Sequence, residues 1–383
     1  MHVEFVLTDD QKLIQEAARD FARNELGSES VREFDEKEEY PLGLIRKLAG
    51  LGWLGLPFPE EYGGAGGNVL DLAIFLEGIG YGMVALAAAY LQTVIFGGMS
   101  LYEYGSEEQK KEYLPPLIRG EKLWCLAATE PNAGSDLASL VTSATPDGNG
   151  FFTINGTKTF ITGAHVADHF LLAARTNRDV PKHKGITMFI VDSRSPGVEV
   201  RRLHKLGMRP VGTNEVFLEN VRVPEGNVAG GLNQGWANLL KTLDNERCAV
   251  AAMCVGASQR VVDDALEYAK NRVQFGQPIS KFQVIQHALA NMQIKVDTAR
   301  LLTYRAAWMA KEGLPCSKET AMAKVHASET MADVADQGLR ILGGYGYMME
   351  YDMQRYFRDA KFFQIAGGTP EIQRNVIAKQ MGV

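Results

Sequence analysis

The spacing of apolar and polar positions along this chain of 383 residues changes twice. Up to about residue 122 it is helical. Thr8-Asp9-Asp10-Gln11 has the form of a capping box, in which the Thr8 hydroxyl and the Gln11 side chain each meet an orphan backbone N–H. Ile14, Ala17, Ala18, Phe21 and Ala22 then fall on one helical face. Ser106-Glu107-Glu108-Gln109 repeats the box ahead of Tyr113, Leu114 and Leu117, and Pro57-Phe58-Pro59 through Gly67 breaks the helices between. From about 123 to 232 the period shortens. Asn155-Gly156 predicts a type I′ hairpin between Phe151–Ile154 and Thr157–Ile161, and Asp147-Gly148-Asn149-Gly150 a second turn. With Asp168–Arg175, Ile186–Val191, Val198–Arg201 and Glu215–Val223 this makes seven or eight strands. After Gly235 the pattern is helical again, over Trp236–Arg272, Lys281–Glu312 and Ser317–Leu342. Alanine-rich faces such as Ala249, Ala251, Ala252 and Ala257 suit helices packed on several sides, in a bundle or between subunits. The reading is an α+β chain with a helical domain over 1–122, a β domain over 123–232 and a helical bundle over 233–383.

Composition narrows the function classes. A hydrophobic share of 46% and a charged share of 22% are those of an ordinary globular chain with a large core. The net charge of −6 speaks against a broad phosphate-binding surface, so nucleic acid is not an expected partner. No apolar run reaches the ~18 residues of a membrane span. Met1 to Leu7 lacks a basic segment followed by a long apolar one, so no leader is expected, and a bacterial cytoplasm is favoured over the mitochondrial matrix. Cys125, Cys248, Cys254 and Cys316 form no CxxC pair and read as free thiols. His165 and His169 are four apart, but they straddle the start of a predicted strand and read as turn and surface histidines; no metal site is expected.

The stretch Ala128-Thr129-Glu130-Pro131-Asn132-Ala133-Gly134-Ser135-Asp136 leaves backbone N–H groups and two hydroxyls free to meet a planar polar ligand. It resembles the signature of the acyl-CoA dehydrogenase flavoproteins. Phe160-Ile161-Thr162, Lys205-Leu206-Gly207-Met208-Arg209, Asn271-Arg272-Val273-Gln274-Phe275-Gly276, Ile341 through Gly346 and Phe357 through Lys361 resemble further family motifs, in the same order. No GxGxxG follows a strand, so a dinucleotide held by a Rossmann unit is not indicated. The resemblance implies the family fold, FAD as cofactor, an acyl-CoA substrate, electron-transfer flavoprotein as acceptor and a homotetramer. It also implies site residues. Leu126, Ala127, Ala128 and Thr129 would lie along the flavin edge, and Ser135 would contact the flavin diphosphate or the CoA arm. Phe160 would cover an isoalloxazine face beside Ile161, with the Thr162 hydroxyl donating toward N5. Arg272, Phe275 and Gln283 would reach the FAD diphosphate and adenosine from a neighbouring subunit, with Arg340, Gly343 and Gly344 beside them. Tyr90, Gln92, Thr93, Ile95 and Phe96 would wall the acyl pocket.

One departure decides the mechanism to be expected. Gln364 to Arg374 resembles the family's Tyr-Glu-Gly-Thr-x-x-Ile-Gln motif, but Gly367 stands where the catalytic glutamate is expected. Glu371 opens the last helix as an N-terminal charge and, with Thr369, is placed on the cofactor side. Leu243-Asp244-Asn245-Glu246-Arg247 resembles the motif that carries the base on a helix in the isovaleryl-CoA type. The resemblance therefore implies Glu246 as base, with Asp244 and Arg247 contacting CoA or bracing the helix. It leaves the Gly367 amide facing the thioester beside Gly368, and room for a branched or 2-substituted acyl group such as benzylsuccinyl-CoA. Burial is expected to raise the Glu246 pKa toward the working range. The alternatives are an enoyl-CoA reductase, an acyl-CoA oxidase, or a non-catalytic relative acting as a binding protein.

Overall fold

Both capping boxes close in the computed structural model of the chain, which describes residues 6–383. The expectation of no leader rests partly on Met1–Phe5, which lie outside the described residues. The Thr8 box opens α1 (Asp9–Glu25), followed by α2 (Ser28–Lys37), α3 (Leu42–Gly50) and α4 (Val69–Tyr90). A third box, Asn68 with Asp71, opens α4, and Gln11 Nε2 donates to Asp71 Oδ1 at 3.1 Å, so two helix starts share one polar contact. A π-helical stretch, Leu91–Met99, carries α4 into α5 (Ser100–Tyr104), and the Ser106 box opens α6 (Glu107–Ile118). Contrary to expectation, Val69–Tyr104 is long and apolar enough by composition to cross a membrane. It is instead a core helix, with 94% of its most apolar window buried inside the protein.

The middle of the chain folds into an eight-stranded sheet among the described residues. Its strands are β1 (Trp124–Ala127), β2 (Ser143–Pro146), β3 (Phe151–Thr162), β4 (His169–Arg175), β5 (Ile186–Asp192), β6 (Val198–Leu203), β7 (Thr213–Pro224) and β8 (Val228–Ala229). Their order is β6-β7-β3-β2-β4-β5-β8, with β1 parallel beside β4. The expected Asn155-Gly156 hairpin does not form. β3 runs straight through it, with a register shift against β7 between Ile154 and Gly156. Both central residues of a type I′ turn need φ above zero, and Asn155 lacks it. Gly156 serves close approach instead: a Cβ there would lie 2.8 Å from Thr142 Cα. The Asp147 turn forms as read, with Asp147 N donating to Phe151 O at 2.9 Å.

The C-terminal helices are α7 (Gly235–Asn271), α8 (Gln283–Lys311), α9 (Ser317–Leu342), α10 (Met353–Phe363) and α11 (Pro370–Met381), the first three within two residues of the expected ends. α7 crosses α4 at glycines. A Cβ on Gly256 would overlap the Glu77 carbonyl, and one on Gly80 would lie 2.9 Å from Met253 Cα. Backbone thus meets backbone at this crossing. The loop after β6 is stitched to α10 by Met208 N, which donates to Asp359 Oδ1 at 2.5 Å, and α10 is stitched to α2 by Arg358 Nη2, which donates to Asp35 Oδ2 at 2.5 Å.

The histidine pair is not at the surface. His165 and His169 are partly buried, and His169 packs against Trp124 and Tyr113. Burial, with Arg202 and Lys205 nearby, pushes His165 down to about 4, so it is neutral at neutral pH. All four cysteines are free.

A buried ion pair holds the signature loop. Lys158 Nζ, in β3, donates to Glu130 Oε1 at 2.8 Å and to Ala128 O at 3.0 Å, while Glu130 also accepts from the amides of Val141 and Thr142. Lys158 is fully buried, which lowers its pKa to about 8, still charged near neutrality. Removing one partner of such a pair leaves an uncompensated buried charge. Lys158→Met is expected to lose about 3–5 kcal/mol of stability in urea unfolding; a loss below about 1 kcal/mol would show that the pair does not hold the loop.

Candidate active site

Glu246 lies within α7, on a stripe buried against its neighbours, and is only 2% exposed. Its Oε2 has no hydrogen-bond partner among the described residues. A Cβ built on Gly367 would overlap Glu246 Oε1. The carboxyl of Glu246 therefore fills the space that any side chain at 367 would need. Burial raises its pKa to about 7, against the opposing pull of Lys324 and Arg247. Sequence reading named both residues, and the fold brings them into contact.

The segment carrying Gly367 is a left-handed turn, with φ of +65° at Gly367 and +81° at Gly368. Its carbonyls are taken by two buried side chains. Lys324 Nζ, in α9, donates to Phe363 O at 2.9 Å, Ala366 O at 3.0 Å and Gly368 O at 2.6 Å. Gln373 Nε2 donates to Gly367 O at 2.9 Å. Neither the Gly367 nor the Gly368 amide donates to a protein acceptor among the described residues. Lys324 and Gln373, both 0% exposed, were missed by the sequence reading. A signal for Lys324 was present: it falls on the stripe with Thr320, Ala327 and Met331, where a lone cation among small buried residues is out of place.

Asp244 and Arg247 brace the helix. Arg247 Nη1 donates to Asp244 Oδ1 at 2.7 Å, and Asp244 accepts from Ser317 Oγ at 2.7 Å and Thr320 Oγ1 at 3.3 Å. This ties α7 to the start of α9 close to the carboxyl. Thr369 caps α11 by accepting from Ile372 N, and Glu371 is an exposed charge in its first turn.

Leu126 to Thr129 span the end of β1 and the turn after it. Leu126 N donates to Gln92 Oε1 at 3.4 Å, and Thr159 N donates to Thr129 O at 2.9 Å. A second register shift between Lys158 and Ile161 turns Phe160 outward, with φ of +59° and 66% exposure. An aromatic ring held out in that way is a platform for a flat ligand. Ile161 does not join it: its side chain is buried in the sheet core, so only its backbone is left for the proposed flavin edge. Thr162 ends β3 and Ser135 lies exposed in the signature loop. Tyr90 is a further correction. It is fully buried, packs tilted against Phe75 and donates to Trp53 O at 2.9 Å, so its side chain belongs to the helical core. Thr93 and Ile95 are equally buried, and Phe96 is 7% exposed.

A cavity of about 840 Å³ is lined by Arg272, Phe275, Gly343, Gly344, Tyr345 and neighbours, with neither Glu246 nor Gly367 in its wall. Arg272 lies over the Tyr345 ring at 5.3 Å, and Phe275 is 94% exposed with φ of +51°. A Cβ at Gly343 or Gly344 would meet open space, so backbone is bare there. A guanidinium, an exposed aromatic and bare backbone suit a diphosphate with an attached purine. Two expected members are not part of the wall. Gln283 is exposed between the lining residues Phe282 and Val284, and Arg340 is exposed and paired with Asp336 at 3.0 Å. Arg340 sits at the last turn of α9, where an i,i+4 carboxylate claims it.

Sequence models of the acyl-CoA dehydrogenase N-terminal, middle and C-terminal domains match residues 8–121, 125–221 and 233–382. Relatives include a probable acyl-CoA dehydrogenase of Bacillus subtilis, 40% identical over 99% of this chain and 100% of that protein. A 3-(aryl)acrylate reductase of Clostridium sporogenes is 41% identical, covering 98% and 99%. A caffeyl-CoA reductase-Etf complex subunit of Acetobacterium woodii is 38% identical over 97% and 98%. Among solved structures, butyryl-CoA dehydrogenase from Megasphaera elsdenii superposes with a TM-score of 0.96 at 37% identity over 100% of both chains.

The burial of Glu246 has a pH signature. Its pKa is raised from the ordinary 4.5 to about 7, so the folded state holds the proton more tightly than the unfolded one. Stability from this group is full below the unfolded pKa and falls as pH rises toward about 7. Glu246→Gln removes the titration. The variant is expected to gain on the parent by up to about 3 kcal/mol between about pH 5 and about pH 8 in chemical unfolding; a gap that does not change with pH would contradict the burial of an ionisable carboxyl here.

Proposed function

The chain belongs to the acyl-CoA dehydrogenase family of FAD-dependent oxidoreductases, and we propose that it interconverts an acyl-CoA and its 2,3-enoyl-CoA with Glu246 as the base. The observation that carries this reading is the Glu246 carboxyl occupying the side-chain space of Gly367, where the family motif has glutamate. A carboxylate reaching that volume from α7 can meet the same α-carbon as one reaching it from the turn.

The residues divide the work as follows. The unengaged amides of Gly367 and Gly368 take the thioester oxygen, which gathers charge as the α-proton leaves. Glu246 accepts that proton; its raised pKa makes it a stronger base than an exposed carboxylate while leaving it largely ionised above neutrality. FAD, when bound, supplies the acceptor for the β-hydride. Leu126–Thr129, Phe160 and Thr162 would hold its isoalloxazine, and Ser135 would meet its diphosphate or the CoA arm. Arg272, Phe275, Gly343 and Gly344 would hold the ADP end of a cofactor seated mainly in a second copy. The exposed Phe275 and the separation of the two clusters support that assignment, and with it a homotetramer.

For the substrate we propose a branched, 2-substituted or aryl acyl group, dicarboxylic ones such as benzylsuccinyl-CoA included. A relative of 41% identity named for 3-(aryl)acrylate supports that class. Electron-transfer flavoprotein is the proposed acceptor, in keeping with the Etf complex named for another relative. The reverse direction, enoyl-CoA reduction, is the second reading; the reductase names of two relatives favour it.

Anaerobic bleaching of the flavin by butyryl-, 3-methylbutanoyl-, 3-phenylpropanoyl- and benzylsuccinyl-CoA tests the substrate class, with the last two expected fastest. Glu246→Gln should bleach about 10²–10⁴-fold more slowly with FAD content unchanged. In the parent the rate should climb about tenfold per pH unit and level off near about 7, since only the ionised carboxylate accepts the proton. A parental rate in Glu246→Gln overturns the assignment of the base.

A further inference from the structure

Lys324 is a fully buried lysine that the chemistry described above does not use. Each of its three N–H donors is spent on a backbone carbonyl, those of Phe363, Ala366 and Gly368. Only the protonated amine has three donors, so the group is held as an ammonium. The Phe363 carbonyl closes α10, where the last carbonyls of a helix lack intrahelical partners. The other two bracket Gly367.

A trans peptide unit is planar, with its C=O and N–H pointing in opposite directions. Drawing the Ala366 carbonyl onto Lys324 turns the Gly367 N–H away from the lysine. Drawing the Gly367 carbonyl onto Gln373 does the same for the Gly368 N–H. The Gly367 and Gly368 amides, left without protein acceptors, thus belong to peptides whose oxygens are pinned. Glycine at both positions permits the positive φ values that let successive units turn in this way.

We propose that Lys324 is a positioning residue for the reaction. It fixes the 366–368 turn with its carbonyls inward, so that the Gly367 and Gly368 amides stand ready for the thioester oxygen beside Glu246. The proposal rests on the functional reading above but concerns a different group. Glu246 moves the proton; Lys324 arranges the donors that accept the charge. Gln373 is the secondary tether.

The full-length, FAD-loaded protein tests it with Lys324→Met, which keeps the volume and removes the donors, and with Lys324→Ala. In Lys324→Met, hydrogen–deuterium exchange of the peptide spanning residues 364–369 should speed up at least about tenfold, with the long helices unchanged. Flavin reduction by 3-phenylpropanoyl-CoA at saturation should fall about 10–10²-fold, while the Kd of that ester changes little, because misplaced donors affect the charged transition state most. Ethylammonium should restore part of the rate in Lys324→Ala, which a loss of packing alone would not do. Parental exchange and parental rate in Lys324→Met, or no rescue by the amine, would overturn the proposal. If Lys324→Met does not fold, Gln373→Met carries the test: it should show the same two changes in smaller degree, and no change would be equally fatal. The two assignments fail separately. Glu246→Gln at the parental rate with Lys324→Met impaired removes the base and leaves the turn; the converse leaves the base.

Discussion

The structure depends on two chain positions far apart in sequence sharing one buried volume. The Glu246 carboxyl stands in the space a side chain at Gly367 would fill, so either position can supply the group but not both. Much of the surrounding architecture serves to place that carboxyl. Gly80 and Gly256 let α4 and α7 touch backbone to backbone, and Asp244 ties α7 to α9 within one turn of the glutamate. With the helix held on two sides, a carboxyl on its buried face has little freedom to drift.

Burying an ionisable group without a full set of partners is costly, and here the cost falls at the residue proposed as the base. Glu246 keeps one oxygen unpartnered and a pKa near neutrality, because burial outweighs the cations Lys324 and Arg247. The same protein places other charges where irregular backbone must be held still. Lys158 with Glu130 ties the signature loop to β3, Lys324 ties the Gly367 turn to α9, and Asp359 ties a loop of the sheet to α10. In each, a buried charged side chain engages main-chain groups that no helix or strand ladder satisfies. These contacts are better understood as fixing one conformation than as adding net stability, since buried charge is a weak stabiliser.

Local signals were legible wherever a short stretch of chain decides its own structure. The capping boxes at Thr8 and Ser106 closed as read, because box and helix start lie within four residues of each other. α9 begins and ends where the apolar spacing placed it. Asn155-Gly156 failed for the complementary reason. The dipeptide fits a tight turn, but the approach of Thr142 across the sheet calls for a residue without a side chain, and a strand passing a neighbour needs glycine as much as a turn does. Tyr90 and Arg340 meet partners the sequence did not announce: the core around Phe75 and Trp53 for the one, Asp336 for the other.

The sequence by itself determined the order of helical and β segments, the family to be expected and the exchange of glutamate for glycine at position 367, all carried by residue identity and near-neighbour spacing. Only the tertiary structure decided that Glu246 and Gly367 meet, that Lys324 and Gln373 draw the carbonyls of the turn inward, and that Phe160 stands out from the sheet while Ile161 does not. The physical reason is distance along the chain. Steric exclusion, desolvation and peptide orientation act between atoms in contact, and here those atoms come from α7, α9 and the turn before α11, which only the packing of the bundle brings to one place.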